Sequence, residues 1–355
     1  MMKMNKWTMA LAAAGVVSLS SVAQAQEAAA GADALAASTT LSGYVSTSYT
    51  MSDTGGGSLG KTNEDADKFK LDVVSLTLSS AQGAGEYATG YTVGMWIGPD
   101  DQSSTGGQDF ELTQANIDLR LPVGNGIDLK VGYMPTIVGY EVYEYTGNAF
   151  FQRGLGFYAE PTHHTGVLAS YQVSDELSVS VGLANNQANQ QANNEAGAGG
   201  GNAVLASVSY TVGDGAGALS GTEIYGATVQ DTAEVDYWYA SIGLPIPVEG
   251  LTVDLAADWV DADAGGDDEV YQIYAAYALS DKATLNARYE FGDMDNVDFD
   301  NATAGTQAGV NVESVAIGVT YDLWDNVTSR VEWMSTSADG VNDDDTLAFN
   351  LIYSF

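Results

Sequence analysis

The chain has 355 residues, no cysteine, and 11 basic against 47 acidic side chains, for a formal net charge of −36. Without cysteine there is no disulfide framework, thiolate nucleophile or cysteine metal site, and so large a negative excess repels nucleic acid. Acid-rich chains are commonly disordered, but here the acid is interleaved with 20 tyrosines and long alternating segments, so it must lie in loops or on one face of strands.

Residues 1–25, MMKMNKWTMALAAAGVVSLSSVAQA, combine two lysines, an apolar run over about 7–17 and the small-residue pattern Ala23-Gln24-Ala25. This reads as a secretory signal peptide. The run is too short to cross a bilayer as a helix, and no later segment approaches the roughly 20 apolar residues that a spanning helix needs. Cleavage near Gln26 removes Lys3 and Lys6 and leaves nine basic residues. Residues 26–40 read as a periplasmic lead-in.

From residue 40 onward a period of two dominates, the mark of strands with one apolar face. Sixteen such segments fall at about 41–50, 69–80, 86–97, 110–120, 126–134, 164–173, 177–185, 202–212, 221–230, 235–244, 250–260, 269–279, 283–292, 312–321, 325–335 and 345–355. All six prolines lie between segments, where a missing N–H harms no ladder. Connections after even-numbered segments are short, and those after odd-numbered segments are mostly long. An even strand count with long loops on one rim is the layout of an outer-membrane barrel. The expected fold is therefore all-β, a closed antiparallel transmembrane β-barrel of about 16 strands over residues 41–355. A barrel of that size has a lumen wide enough for water.

The strand faces support the same reading. Over 283–292, Ala283, Leu285, Ala287, Tyr289 and Phe291 alternate with Thr284, Asn286, Arg288 and Glu290. Over 250–260, Leu251, Val253, Leu255, Ala257 and Trp259 alternate with Thr252, Asp254, Ala256 and Asp258. A slip of one residue would turn Arg288 toward lipid, at a cost of roughly 2–4 kcal/mol near the bilayer midplane. Tyr49, Tyr87, Tyr133, Tyr171, Tyr210, Trp259, Tyr277, Tyr321, Trp333 and Phe355 sit near strand ends, where aromatic girdles form.

The longest connection, 135–163, carries Tyr140, Tyr143, Tyr145, Phe150, Phe151, Phe157 and Tyr158. A loop so long and so aromatic must fold onto something; the expectation is that it bends into the lumen as a constriction. Its charges Glu141, Glu144, Arg153 and Glu160 would then face wall residues Arg120, Lys130, Arg288 and Arg330, with Asp254 and Asp258 also on the wall. Opposed charge across a narrow passage creates a field that selects small solutes. His163 and His164, the only histidines, come without a nucleophile elbow or HExxH, and read as loop-to-strand boundary residues rather than catalytic ones. The acidic stretches 261–269 and 293–300 lack EF-hand spacing, so the default is solvated acid and no metal or cofactor is expected. Residues 185–202 are low in complexity and read as a mobile loop.

TLSGYVSTSYT, FKLDVVSLTL, FELTQANIDLRLPVGNGIDLKVGYMPTIVGYEVYE and EPTHHTGVLASYQVSDELSVSVGLAN together resemble the β-barrel porin family described as OmpL-like, found in Gram-negative bacteria. The resemblance is densest over about 40–185 and implies an outer-membrane porin that passes small hydrophilic solutes. It also implies insertion by the barrel-assembly machinery, which in such proteins reads a last strand ending in phenylalanine, here Phe355. Outer-membrane lipid and lipopolysaccharide are the expected surroundings, and analogy with other 16-stranded porins suggests a homotrimer. Net charge points to a mild cation preference. Two other readings stand beside the channel: a surface-structural or adhesin-like barrel with a plugged lumen, and a barrel enzyme, for which the sequence supplies no assembled base, nucleophile and orienter.

Overall fold

A computed structural model of the chain describes residues 38–52, 67–98, 110–185, 202–231, 235–262, 266–295, 309–339 and 343–355. The signal peptide, most of the lead-in, most of the low-complexity stretch 185–202, and parts of the acidic stretches 261–269 and 293–300 lie outside the described residues.

Sixteen strands run in chain order: β1 Thr39–Ser52, β2 Lys68–Ser80, β3 Thr89–Ile97, β4 Glu111–Leu121, β5 Ile127–Pro135, β6 His163–Gln172, β7 Leu177–Asn185, β8 Asn202–Thr211, β9 Glu223–Asp231, β10 Val235–Leu244, β11 Leu251–Ala262, β12 Gly266–Ser280, β13 Ala283–Met294, β14 Val310–Trp324, β15 Val327–Ala338 and β16 Asp344–Ser354. Each pairs antiparallel with its neighbours in sequence, and β1 pairs with β16, so the sheet closes on itself and has no free edge. The closing seam sets Tyr44 opposite Ser354 and Thr47 opposite Leu351. Beyond the end of β16, Phe355 still exchanges both backbone bonds with Gly43, at 2.9 and 3.0 Å.

The alternation expected from the sequence is the alternation observed. On β13, Asn286, Arg288 and Glu290 are buried in the lumen while Leu285 and Phe291 lie on the exposed outer face. On β11, Asp254 and Asp258 are inward and Leu255 outward. On β16, Phe349, Leu351 and Tyr353 are outward, whereas Ile352 and Ala348 point in and join a buried cluster with Tyr44, Trp96 and Phe151.

Strand ends differ from the sequence expectation in two ways. β12 and β14 each reach 15 residues, past the apolar pattern. The ladder of β12 continues through Asp267, Asp268 and Glu269 after the apolar alternation has stopped, with Asp268 buried on the inner face and accepting from Asp295 N at 2.7 Å. β3 starts at Thr89 rather than near 86, because Tyr87 adopts φ of 57° and belongs to the turn. Among the girdle tyrosines, Tyr133 departs from the pattern: it is buried and stacks on His163 at 4.9 Å.

Candidate functional site: a segment folded across the lumen

β5 ends at Pro135 and β6 begins at His163, and the connection between them runs into the barrel. Thr136 N donates to Thr162 O at 3.0 Å and closes the neck of the loop. Within it lie a 3-10 turn, Tyr145–Gly147, and one short helix, α1, Leu155–Ala159. The segment turns inward because its side chains have nowhere better to go. Left on the outer surface, Ile137, Val138, Phe150, Phe151, Leu155 and Phe157 would face water. Inside, all six are buried, and a fully buried side chain of this kind is worth roughly 1.5–3 kcal/mol.

Apolar contact is made on several sides at once. Ile137 and Val138 pack with Leu168, Leu205, Tyr225 and Val229. Tyr143, Tyr145, Phe151 and Phe157 pack with Tyr44, Val73, Trp96 and Ile352. Leu155 and Ala159 meet Val260, Val270, Met294 and Val312, and Phe150 meets Ala316 and Met334. Tyr140 stacks on Tyr274 of β12 at a centroid distance of 3.7 Å and donates to Asp254 at 2.7 Å.

Polar anchoring comes mainly from two copies of one arrangement, Arg-x-Glu on an inward strand face. On β13, Arg288 pairs with Glu141 at 2.6 Å and donates to Gln152 O at 3.1 Å, while Glu290 accepts from Leu155 N at 3.0 Å and Gly156 N at 3.3 Å. On β15, Arg330 donates to Tyr145 O and Asn148 O at 3.0 and 2.8 Å, while Glu332 accepts from Phe151 N and Gln152 N at 2.6 and 2.7 Å. Arg288 holds one carbonyl beside the Glu141 carboxylate, Arg330 holds two, and each glutamate holds consecutive N–H groups, so buried backbone that has left the sheet still finds partners. Gly154 must be glycine here, because a Cβ would run into the Glu290 carboxylate.

On the opposite side, Glu144 reaches the wall of β1 to β3. Its Oε2 accepts from Tyr44 Oη at 2.7 Å, Trp96 Nε1 at 2.9 Å and Ser75 Oγ at 3.2 Å, all uncharged donors. Trp96 is sandwiched by the segment, 4.5 Å from Tyr143 and 5.4 Å from Tyr145. Tyr143 donates to Glu111 at 2.7 Å. Arg153 stays within the segment: it donates to Tyr143 O at 2.5 Å and lies over the Tyr145 and Phe157 rings at 4.9 and 4.7 Å. Glu160 is buried where a Cβ on Gly139 would strike its carboxylate. Burial pushes its pKa well above the usual carboxylate range, the Asp258 and Glu141 charges push it further, and Arg153 pulls it partly back.

Between this segment and the rim that carries the short turns lies a cavity of about 560 Å³. Ser42, Gly43, Ser354 and Phe355 line its rim end, and Pro135–Gly139 together with Val142–Glu144 form its far wall.

The family model described as "Putative beta-barrel porin-2, OmpL-like" matches residues 38–354. The chain belongs to this porin family. It is an outer-membrane barrel, and solved structures agree on the fold. OmpT with loop L8 deleted, an outer membrane protein of Vibrio cholerae, has a TM-score of 0.63 at 12% identity, covering 89% of this chain and 99% of that one. The outer membrane channel DcaP of Acinetobacter baumannii has a TM-score of 0.60 at 13% identity, covering 89% and 97%. An anion-selective porin from Comamonas acidovorans has a TM-score of 0.58 at 13% identity, covering 90% and 99%. No match was found among curated proteins.

In this porin the expected opposition of segment charge and wall charge holds for Glu141 and Arg288, and Arg330 also reaches the segment, though through carbonyls. It does not hold for Arg120 and Lys130, which bind neighbouring-strand carboxylates instead: Arg120 meets Asp128 at 3.3 Å and Lys130 meets Asp118 at 2.7 Å. Each stands directly across the β4–β5 pair from an acid, Arg120 from Asp128 and Lys130 from Asp118, and the nearer partner wins. Glu160 faces Asp258 and Glu141 rather than a basic wall residue, and Glu144 meets neutral donors. Asp258 accepts from Gln272 Nε2. His163 and His164 open β6, bonded to Thr162 Oγ1 at 3.0 Å and Thr136 Oγ1 at 2.9 Å. The sequence reading missed Glu332 and Trp96 as anchors, although both sit at inward positions of alternating strands, where a large polar or aromatic side chain needs a lumen partner.

Proposed function

We propose that this porin is a passive diffusion channel for small hydrophilic solutes and ions, narrowed by the segment 135–163 and mildly cation-preferring. The observation that carries the reading is the path of that segment: it crosses a 16-stranded lumen and is fastened there by Glu141 to Arg288, so any solute passing the barrel must pass beside it. The cation preference is supported by the state of the lumen charges. Arg120, Lys130 and Arg288 are each already paired with a carboxylate, whereas Glu144 is held only by neutral donors. On this reading the barrel is a conduit and not an enzyme, it is inserted by the barrel-assembly machinery among lipid and lipopolysaccharide, and it forms a homotrimer like the trimer form described for Vibrio cholerae OmpT. The test is single-channel recording of the purified protein in a planar bilayer, with stable steps in KCl expected.

One observation favours a second reading. The segment touches the wall from β1 and β3 round to β15 and β16, which is also what a plug in a surface-structural or adhesin-like barrel would do. Absence of stable conductance from correctly folded protein selects that reading.

A further inference from the structure

The cavity of about 560 Å³ below the segment falls within the range of small-molecule sites, and its lining is chemically one-sided. The charged side chains on its wall are Glu141, Glu144 and Glu160; among the described residues no lysine or arginine lines it. Glu141 is already neutralised by Arg288 at 2.6 Å. The other two are not fully used. Glu144 Oε1 and Glu160 Oε2 are buried oxygens without a hydrogen-bond partner, and Thr113 Oγ1, also on the wall, is a third. Glu160 is only 9% exposed and Thr113 only 2%. A buried acceptor left without a donor costs roughly 1–3 kcal/mol, and more when it is charged. With His163 Nε2, a fourth unpartnered buried atom on the same wall, these groups mark a place that something else completes.

We infer that this vestibule is a binding subsite for small linear organic cations bearing primary ammonium groups, with Glu144 as the charge partner and the Glu160 carboxyl oxygen as a further acceptor. An ammonium carries three donors and no acceptor, matching a wall that offers unmet acceptors. Ile137, Val138 and Phe157 give its methylene stem an apolar surface to lie along. Hydroxyls of Ser75, Thr77 and Thr113 on β2 and β4 provide further acceptors. Among the described residues no three acidic or histidine side chains converge closely enough to hold a metal ion. The acid is distributed along the cavity, which suits an extended cation rather than a point charge.

The inference rests on the channel reading for its physiological meaning, and its test is independent of conductance. Equilibrium dialysis of the folded full-length protein in detergent with labelled putrescine should show saturable binding. The double variant Glu144→Gln/Glu160→Gln should weaken it at least tenfold, while Asp128→Asn, outside the cavity, should leave it intact; succinate, a dianion of similar length, should not compete. Folding of each variant is checked by the heat-dependent shift in its electrophoretic migration. In planar bilayers, putrescine added on the short-turn side should interrupt the current of the wild type and not of the double variant. No saturable binding, equal binding by the double variant, or equal competition by succinate overturns the inference. Binding by a protein that conducts no ions upholds the subsite and contradicts the channel, whereas conductance without binding leaves the channel standing and removes the subsite.

Discussion

Arg288 on β13 and Glu141 on the inner segment meet at 2.6 Å with side-chain exposures of 0% and 4%, so the segment is tied to the wall by an ion pair almost sealed from water. Glu290 Oε2 lies 3.0 Å from the same guanidinium and the Phe150 ring is 5.0 Å from it. Removing one member of a buried pair strands the other charge and costs roughly 3–5 kcal/mol. Arg288→Ala leaves two carboxylates facing each other, and is expected to lower the unfolding temperature and produce noisy openings larger than those of the wild type. Equal stability and an unchanged unitary current would show that the pair does not hold the segment.

Glu332 is a purely local clamp, since its two oxygens take the N–H groups of Phe151 and Gln152. In Glu332→Ala each of those buried donors loses its acceptor, at roughly 1–3 kcal/mol apiece. The segment should then become cleavable near Phe151 by chymotrypsin added to the folded barrel, while the wild type resists.

Glu160 gives a pH dependence with a definite sign. Its carboxyl holds its proton more tightly folded than unfolded, because of burial first and then the neighbouring Asp258 and Glu141 charges. The folded state is therefore favoured while Glu160 stays protonated, and raising pH above the ordinary carboxylate value of 4.5 toward the higher folded value removes stability. The melting temperature should fall with rising pH over that window, and Glu160→Gln should flatten the slope. A variant slope identical to the wild type would place the titration elsewhere.

Cation preference is read from the reversal potential in a KCl gradient. The expected sign is that of potassium as the more permeant ion, and neutralising Glu144 should move the potential toward zero. A potential of the opposite sign would mean that Arg153 and Arg330, not the glutamates, dominate the narrowest section.

Phe355 closes the seam by exchanging two backbone bonds with Gly43, and the residue is 47% exposed at the short-turn rim. Its deletion should reduce the amount of folded protein in the membrane far more than it changes the current of the molecules that do insert.

Much of this architecture was legible in the sequence, because a barrel wall obeys a strict period of two and a slip by one residue would expose Arg288 or Asp254 to lipid. The inward path of the segment was legible too, from its length and its phenylalanines and tyrosines. Its partners were not. Which carboxylate meets which base depends on how the chain from Thr136 to Thr162 folds in three dimensions, and no periodicity governs that. Arg120 and Lys130 show the consequence: their side of the wall was right, but acids on adjacent strands claimed them. The repeated Arg-x-Glu on β13 and β15 was visible as spacing, yet its meaning as a grip on backbone emerges only once the segment is in place.

On the proposed reading, the segment between β5 and β6 sets the bore of the channel. This is tested most directly by deleting residues 141–158, rejoining the ends with a short Gly-Ser linker, and comparing unitary conductance in KCl with that of the wild type. A clear rise in unitary conductance is expected; an unchanged conductance from a folded barrel would show that the segment does not set the bore.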